Sequence, residues 1–479
     1  MKQSYVSDTH PTHYHKAKPW QILAFSVNDT ATNAGLCTIG TFLVVMMTDN
    51  LVLSGFVAGI IMMLVRVFDG ITDPIIGTLI DNTVTRWGKF RPFLLVGSII
   101  INIGIFLLFG GFVHFENELL QYAWIIGSYI FYIFGYTCQT ACTKSAQVQL
   151  TNDPGQRSTL GFLTAIISTG YWSLFLAFAV KYVDSFEGGF SNPDGYRVIA
   201  VITVAVNAVL TVCSILALKD HDRPECYSKE VKKEKIKVTA IFSLIKGNRP
   251  LQMLVTAAAT NKLASNLQGA AAVYFYLYTV QSLDMQARVS LLGLPALFLG
   301  NTLGVIVARR YDKKVSFLFG TWMGLIFGVL IIVVQPFAPE QAVLFLALML
   351  LVNAGTGISY MNIIPMIADV ADYEHWKNGR FAPGLVGTTF SFVDKMVSSI
   401  SGLLIGGALS YIGYTKNMPW SSEAYWTFLL VMLGVPILGH IASIIAYIWY
   451  PIDNAFYRKM YDDLQQNESA IEGAKRELC

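Results

Sequence analysis

Along the chain, apolar runs of about twenty residues or more return twelve times, separated by polar breaks. They lie near 20–47, 55–80, 92–113, 121–149, 158–182, 197–218, 250–279, 288–308, 315–336, 341–371, 384–412 and 424–450. A bilayer core about 30 Å thick is crossed by roughly 20 residues of helix, so each run is long enough to span it. Membrane-crossing strands would instead alternate apolar and polar residues over about ten positions. These runs are longer and apolar on every side, which predicts helices. The expected fold class is an all-α membrane protein of twelve transmembrane helices.

The polar breaks are unequal. Only 219–249 is long, with Lys229, Lys232, Lys233, Lys235 and Lys237 set against Glu225, Glu230 and Glu234. It divides six helices from six, and equal halves predict parallel repeats that rock about a site near the membrane midplane. A faint copy agrees with this. Helix two runs through Gly77 and Asp81 into Arg86, Gly88, Lys89 and Arg91, and helix eight runs through Gly304 into Arg309, Arg310, Asp312, Lys313 and Lys314. The expected organisation is a tail over 1–19, a half over 20–218, a linker over 219–249, a half over 250–450 and a tail over 451–479. Within that last tail, Phe456, Tyr457, Met460, Tyr461 and Leu464 share one face, which predicts a short helix at the lipid boundary.

Composition narrows the picture. Of the 479 residues 54% are hydrophobic and only 14% charged, and the mean hydropathy is +0.51, far from an average soluble domain. The net charge of +3 says little, but twenty-six of the 34 Lys and Arg fall in the termini and in every second loop. The positive-inside bias then places both termini and the linker on the cytoplasmic side. There is no short apolar leader with a small-residue cleavage site, so no removable signal peptide is expected. Cys37, Cys138, Cys142 and Cys213 fall in helices while Cys226 and Cys479 face the cytoplasm, which argues against a disulfide framework. His10, His13 and His15 read as a solvated terminus rather than a metal site. A nucleophile elbow, a phosphate loop and a metal-ligand pair are all missing from the sequence, which speaks against a membrane-embedded enzyme; a sensor would need an output domain.

The charges inside the helices carry the chemistry. An ionised side chain at the centre of a spanning helix costs about 2.5–3.5 kcal/mol even on lenient scales, so it lines a cavity or finds a partner. Four cations sit there: Arg66, Lys144, Lys262 and Lys395. In helix two, Arg66, Asp69 and Asp73 are three and four residues apart and share a face. Two carboxylates one turn apart repel unless a positive charge lies between them. Bare oxygens replacing the hydration shell of Na⁺, or a carboxyl taking up H⁺, each make a cation site, and Thr72 with a hydroxyl from another helix would complete it. The alternative is that Arg66 merely neutralises Asp69 for insertion, which leaves Asp73 unexplained. Lys395, preceded by Asp394, serves either as a mobile countercharge or as half of a local pair.

These residues resemble a known family. The stretch Arg66-Val-Phe-Asp69-Gly-Ile-Thr-Asp73-Pro-Ile-Ile-Gly77 runs on through Asp81 to Arg86-Trp-Gly-Lys-Phe-Arg-Pro92. With Ala368-Asp-Val-Ala-Asp372-Tyr, Lys395 and Ile412-Gly-Tyr414 it is similar to the glycoside–pentoside–hexuronide:cation symporters of the major facilitator superfamily, the family of melibiose and glucuronide permeases. The resemblance implies the major facilitator fold in a bacterial inner membrane. It also implies symport of a sugar or glycoside with Na⁺ or H⁺ and no further cofactor; the sequence does not fix the oligomeric state, and a monomer is the default expectation. It assigns the cation site to Asp69, Asp73 and Thr137, with Thr72 where the family carries asparagine, and a sugar-binding role to Asp29.

The rest of the sugar pocket departs from the family. Thr140 stands for an aspartate, Lys144 for a tryptophan and Ala165 for the helix-five arginine. These changes point away from a neutral galactoside and toward an anionic cargo such as a glucuronide, held by Lys144 and Lys262; a lipid-like anion is the alternative. Lys144 serves equally well as the neutralising partner of Asp29. Trp172 and Tyr360 offer rings for sugar C–H faces. In the loop after helix two, Asp81, Arg86, Lys89 and Arg91 are expected to pair with Asp369 and Asp372 of helix ten and close the cytoplasmic side, unless they serve topology alone.

Overall fold

The computed structural model describes residues 16–81, 83–110, 115–151, 153–224, 244–337, 341–378, 383–415, 418–460 and 462–463. His10, His13 and His15, most of the 219–249 linker, Lys416 and the end of the C-terminal tail lie outside the described residues. Twelve long helices follow one another, with no strand among the described residues. They are α1 (Pro19–Asp49), α2 (Gly55–Asp81), α3 (Arg91–Gly110), α4 (Glu118–Leu150), α5 (Pro154–Asp184) and α6 (Pro193–Ala217). The second half holds α7 (Arg249–Tyr274), α8 (Leu283–Arg310), α9 (Lys313–Val334), α10 (Ala342–Asn378), α11 (Pro383–Tyr411) and α12 (Ser422–Ile448).

The polar breaks supply the signals that start these helices. Side chains of Asn117, Asp153, Asn192, Asn248, Ser282, Asp312 and Ser421 each accept a hydrogen bond from a free N–H of the first turn that follows. Proline opens α5, α6 and α7, where its missing N–H costs nothing. Pro295 and Pro365 lie inside α8 and α10, and helices in a membrane bundle tolerate this where neighbours satisfy the freed carbonyl.

Eleven of the helices are long and apolar enough to cross a membrane by composition. The remaining one, α7, continues as a π turn over Phe275–Thr279 and so matches the expected 250–279 in place and length. It falls short in apolarity because it carries Gln252, Asn261, Lys262, Asn266 and Gln268. Most of its surface faces protein, against α10, α11, α12 and α1, and a helix enclosed by neighbours does not need a lipid-facing surface.

Each half packs within itself: α1 on α6, α3 on α4 and α6, and α2 on α4 in the first; α8 and α9 on α10, and α7 on α11 and α12, in the second. Between the halves the main contacts are α2 with α11 and α5 with α8. A shift of six helices turns one of these pairs into the other, as a twofold duplication requires. At the end of the bundle remote from the two termini, the halves close on each other. Gly59 meets the backbone of Gly402 and Gly406, and Gly406 meets that of Gly55, so that a Cβ on any of them would collide. Thr48 and Tyr274 share a hydrogen bond at 3.2 Å, and the Tyr414 hydroxyl donates to Asp49 at 3.3 Å.

The short C-terminal helix is seated differently from the expectation. Its aromatic face lies on the end of α10: Tyr457 donates to Asp372 at 3.0 Å, Trp376 donates to Asp463 at 3.0 Å, and Phe456 packs on Tyr373 and Trp376. Met460 is buried there. Apolar area that the sequence shows as one-sided is spent on protein, while Tyr461 and Leu464 lie outside the described residues.

Candidate functional site

Four charged side chains meet where α2 crosses α11 at mid-depth. Asp69 is fully buried, and its two carboxylate oxygens are taken by different groups. Oδ2 accepts from Arg66 at 3.2 Å, one turn earlier on the same helix. Oδ1 lies 3.1 Å from Lys395 Nζ and accepts from the Thr137 hydroxyl of α4 at 3.3 Å. Lys395 Nζ also donates to Asp73 Oδ2 at 2.6 Å, so one ammonium sits between the two carboxylates that the helix places one turn apart. Thr72 is 3.3 Å from the Thr137 hydroxyl and donates to the Asp69 carbonyl at 3.0 Å. Arg66, Asp69, Thr72, Asp73, Thr137 and Lys395 are thus brought into one cluster.

The two carboxylates are not equivalent. Asp69 is enclosed, while the Asp73 side chain is 31% exposed. Oxygen atoms from Asp69, Asp73, Thr72 and Thr137 form a donor set suited to a hard monovalent cation. Lys395 now occupies the place between the carboxylates. Removing its charge without a substitute would leave the buried Asp69 and the partly exposed Asp73 with Arg66 as their one nearby cation, an unfavourable state.

The second group surrounds Asp29 in α1. Its Oδ2 accepts from the Ser168 hydroxyl of α5 at 2.5 Å, and Ser168 is also 3.1 Å from the Thr30 hydroxyl. The Thr140 hydroxyl of α4 is buried with no hydrogen-bond partner among the described residues. Trp172 is half-buried against the apolar core, Lys262 is half-buried, and the Tyr360 hydroxyl donates to the Asn261 carbonyl at 3.3 Å. The side chain of Lys144 lies outside the described residues. Asp394 neighbours Lys395 on α11 and lies within electrostatic reach of Tyr360.

The expected gate residues are distributed between the halves in this conformation. The backbone N–H groups of Lys89, Phe90 and Arg91 donate to the buried Asp222 carboxylate at 2.7, 2.9 and 2.8 Å, and the Arg91 guanidinium donates to the Asp222 carbonyl at 2.7 Å. Gly88, at φ +105°, permits that close approach. Asp369 pairs with Lys313 at 2.6 Å and Asp372 with Tyr457. Arg91 and Asp369 are therefore each held inside their own half. Arg86 is exposed, and the Asp81 side chain lies outside the described residues.

Sequence reasoning passed over three features. Ser168 holds Asp29 from one turn beyond Ala165, the position at which the resemblance implied an arginine; a small polar residue one turn from Ala165 is the available signal. Tyr136, next to Thr137, donates to Asn33 of α1 at 3.4 Å and lies within electrostatic reach of Asp29, Arg66, Asp69 and Lys395. It lies between the two polar groups in electrostatic reach, and its spacing from Tyr129 and Tyr132 marks one helix face. The third feature is the small-residue spacing of Gly55 with Gly59 and of Gly402 with Gly406, a pattern that brings membrane helices close.

The family described as MFS/sugar transport protein matches residues 24–454. An isoprimeverose transporter of Lactiplantibacillus pentosus is 27% identical, over 94% of this chain and 92% of its own. A glucuronide carrier protein homolog of Escherichia coli strain K12 is 24% identical, over 93% of this chain and 95% of its own. Among solved structures, a bacterial homolog of the human lysosomal transporter Spinster, inward-facing and unoccupied, aligns at a TM-score of 0.62 with 15% identity, covering 93% of this chain and 99% of that one. At that identity the likeness carries the fold alone.

Proposed function

The chain belongs to the MFS/sugar transport protein family, transporters rather than enzymes, and from that premise we propose that it carries a sugar or glycoside in symport with Na⁺ or H⁺ by alternating access. One observation carries the coupling: Lys395 of the second half bridges Asp69 and Asp73 of the first at 3.1 and 2.6 Å. An ion that takes the place of the ammonium keeps the carboxylates compensated and releases the charge contact between α2 and α11. Ion binding and the relative position of the halves are then one equilibrium, since a ligand shifts a conformation only by its differential affinity for the two states.

Cargo affinity is linked to the ion by the same geometry. Tyr136 donates to Asn33, beside Asp29 on α1, and lies within electrostatic reach of both Asp29 and Asp69; coupling through such a neighbour is mutual, so whatever factor the cation adds to sugar affinity, sugar adds to cation affinity. The named substrates of the relatives, isoprimeverose and a glucuronide, both lie within the glycoside class and support it. The protein resides as a monomer in the inner membrane with both termini cytoplasmic. On that orientation the contacts between Thr48, Asp49, Tyr274 and Tyr414 close the outer side.

The test is substrate counterflow and cation-dependent binding in vesicles for Asp73→Asn, against a panel of uronides, neutral glycosides and lysolipids. Loss of cation dependence with retained cargo binding is expected. Unchanged cation dependence counts decisively against this ion site, and preference for a lysolipid would replace the glycoside reading.

A further inference from the structure

The junction of α8 and α9 carries Arg309, Arg310, Lys313 and Lys314, and the fold uses these cations in two ways. Lys313 donates to Asp369 at 2.6 Å and Lys314 to the Tyr450 carbonyl at 2.7 Å, so both lysines are held inside their own half. Arg309 and Arg310, in the last turn of α8, are exposed and make no hydrogen bond or ion pair among the described residues. The carboxylate of the same junction is engaged elsewhere: Asp312 is buried and accepts the backbone N–H groups of Lys314 and Asn454. Two arginines are thus left facing outward with their charge uncompensated.

They also end an apolar stripe. Leu299, Leu303 and Ile306 are exposed at helical spacing, and Arg310 is the next position of that stripe. On α9, which touches α8, Val315, Phe319 and Trp322 form a second exposed stripe. Only Tyr311 and Asp312 separate the two helices, so both stripes converge on the arginines. Tyr311 is exposed as well, with the Arg310 guanidinium 5.8 Å from its ring centroid. From Leu299 to Arg310 an α-helix rises roughly 16 Å, half of a hydrocarbon core about 30 Å thick. The stripe therefore has the length of one leaflet, and the arginines stand where its headgroups begin.

We propose that this end of α8 and α9 binds an anionic phospholipid of the cytoplasmic leaflet, with its phosphate on Arg309 and Arg310 and an acyl chain along the two stripes. The choice of leaflet rests on the orientation given above, with both termini cytoplasmic. A guanidinium presents several N–H donors in a plane that matches phosphate oxygens. A zwitterionic headgroup brings its own cation up against the arginines, whereas a net-anionic one does not, so the site favours the anionic lipid.

The experiment reconstitutes the purified full-length protein in nanodiscs of phosphatidylcholine with a minor fraction of phosphatidylglycerol, extracts it into detergent, and counts the retained lipids by mass spectrometry. Enrichment of phosphatidylglycerol is expected, falling about fivefold in Arg310→Gln, as loss of one charge beside an anionic lipid gives, and further when Arg309→Gln is added. Both side chains are exposed, so neither change removes a buried contact. Arg310→Lys keeps the charge without the planar fork and should recover part of the loss. Lys181→Gln, which removes an exposed cation at the opposite end of the bundle, should leave enrichment unchanged. Unchanged enrichment in the double variant overturns the site. Displacement of the lipid by glycerol phosphate at equal concentration overturns the lipid and makes free phosphate the ligand. Reaction of Tyr311→Cys with an impermeant thiol reagent from outside intact cells, beyond the wild-type level, overturns the orientation and with it the choice of leaflet.

Discussion

The two ends of a single interface, α2 against α11, are held by opposite means. At the closed end Gly55, Gly59, Gly402 and Gly406 bring backbone onto backbone, with Met62 and Leu409 beside them. Three turns further along the same two helices, Arg66, Asp69, Asp73 and Lys395 meet as charges. Close packing between small residues is short-ranged and tolerates no insertion, so it seals. A charge cluster is strong only while its balance is kept, so an arriving cation can rearrange it. The interface therefore joins a fixed seal to a contact that an ion is able to switch.

The largest expected effect comes from unbalancing the charged end. Asp69→Asn leaves Arg66 and Lys395 with one buried carboxylate fewer, and loss of a buried partner of this kind costs about 3–5 kcal/mol. Apparent melting in detergent should fall sharply and lose any response to Na⁺ or pH; an unaltered melting curve would break the contrast. Next comes the seal. Gly59→Val sets a branched side chain against the Gly402 carbonyl, an overpacking of about 1–3 kcal/mol. Labelling of a cysteine placed behind the seal should increase from the outer side while cation dependence of binding persists. Loss of cation dependence would show that seal and switch are one unit. The smallest effect belongs to the ion pair of Lys181 and Asp284, which also joins the halves but with both side chains more than half exposed. Solvent screens such a pair, so Lys181→Gln should leave transport rates within error. A marked slowing would extend the switchable region to α5 and α8.

Much of this division was legible beforehand, and the exceptions are instructive. The spacing of Arg66, Asp69 and Asp73 over about two turns of helix fixes a shared face whatever the helix packs against. That Thr137 and Lys395 reach the same point depends on α4 and α11, which lie 68 and 322 to 326 residues away in the chain. The tyrosine that stands within electrostatic reach of both Asp29 and Asp69 is invisible among 23 tyrosines until Asn33 and Tyr136 are seen in contact. The gate residues show the reverse case. Charge and loop position led to the expectation that Arg91 pairs with Asp369 or Asp372, but the chain offers several carboxylates and cations there, and in this conformation Arg91 is paired with Asp222 and Asp369 with Lys313.

By itself the sequence determined what each segment does in its solvent. Runs of apolar residues become spanning helices, polar breaks become caps and turns, and buried charges are confined to cavities or partners, because these outcomes follow from local energies of transfer and hydrogen bonding. Tertiary structure alone decided which partners those are. It put α7, too polar to face lipid, inside the bundle, turned the aromatic face of the C-terminal helix onto α10, and set Lys395 between two aspartates of the other half. Such choices depend on contacts between residues hundreds of positions apart, whose energies no local pattern encodes.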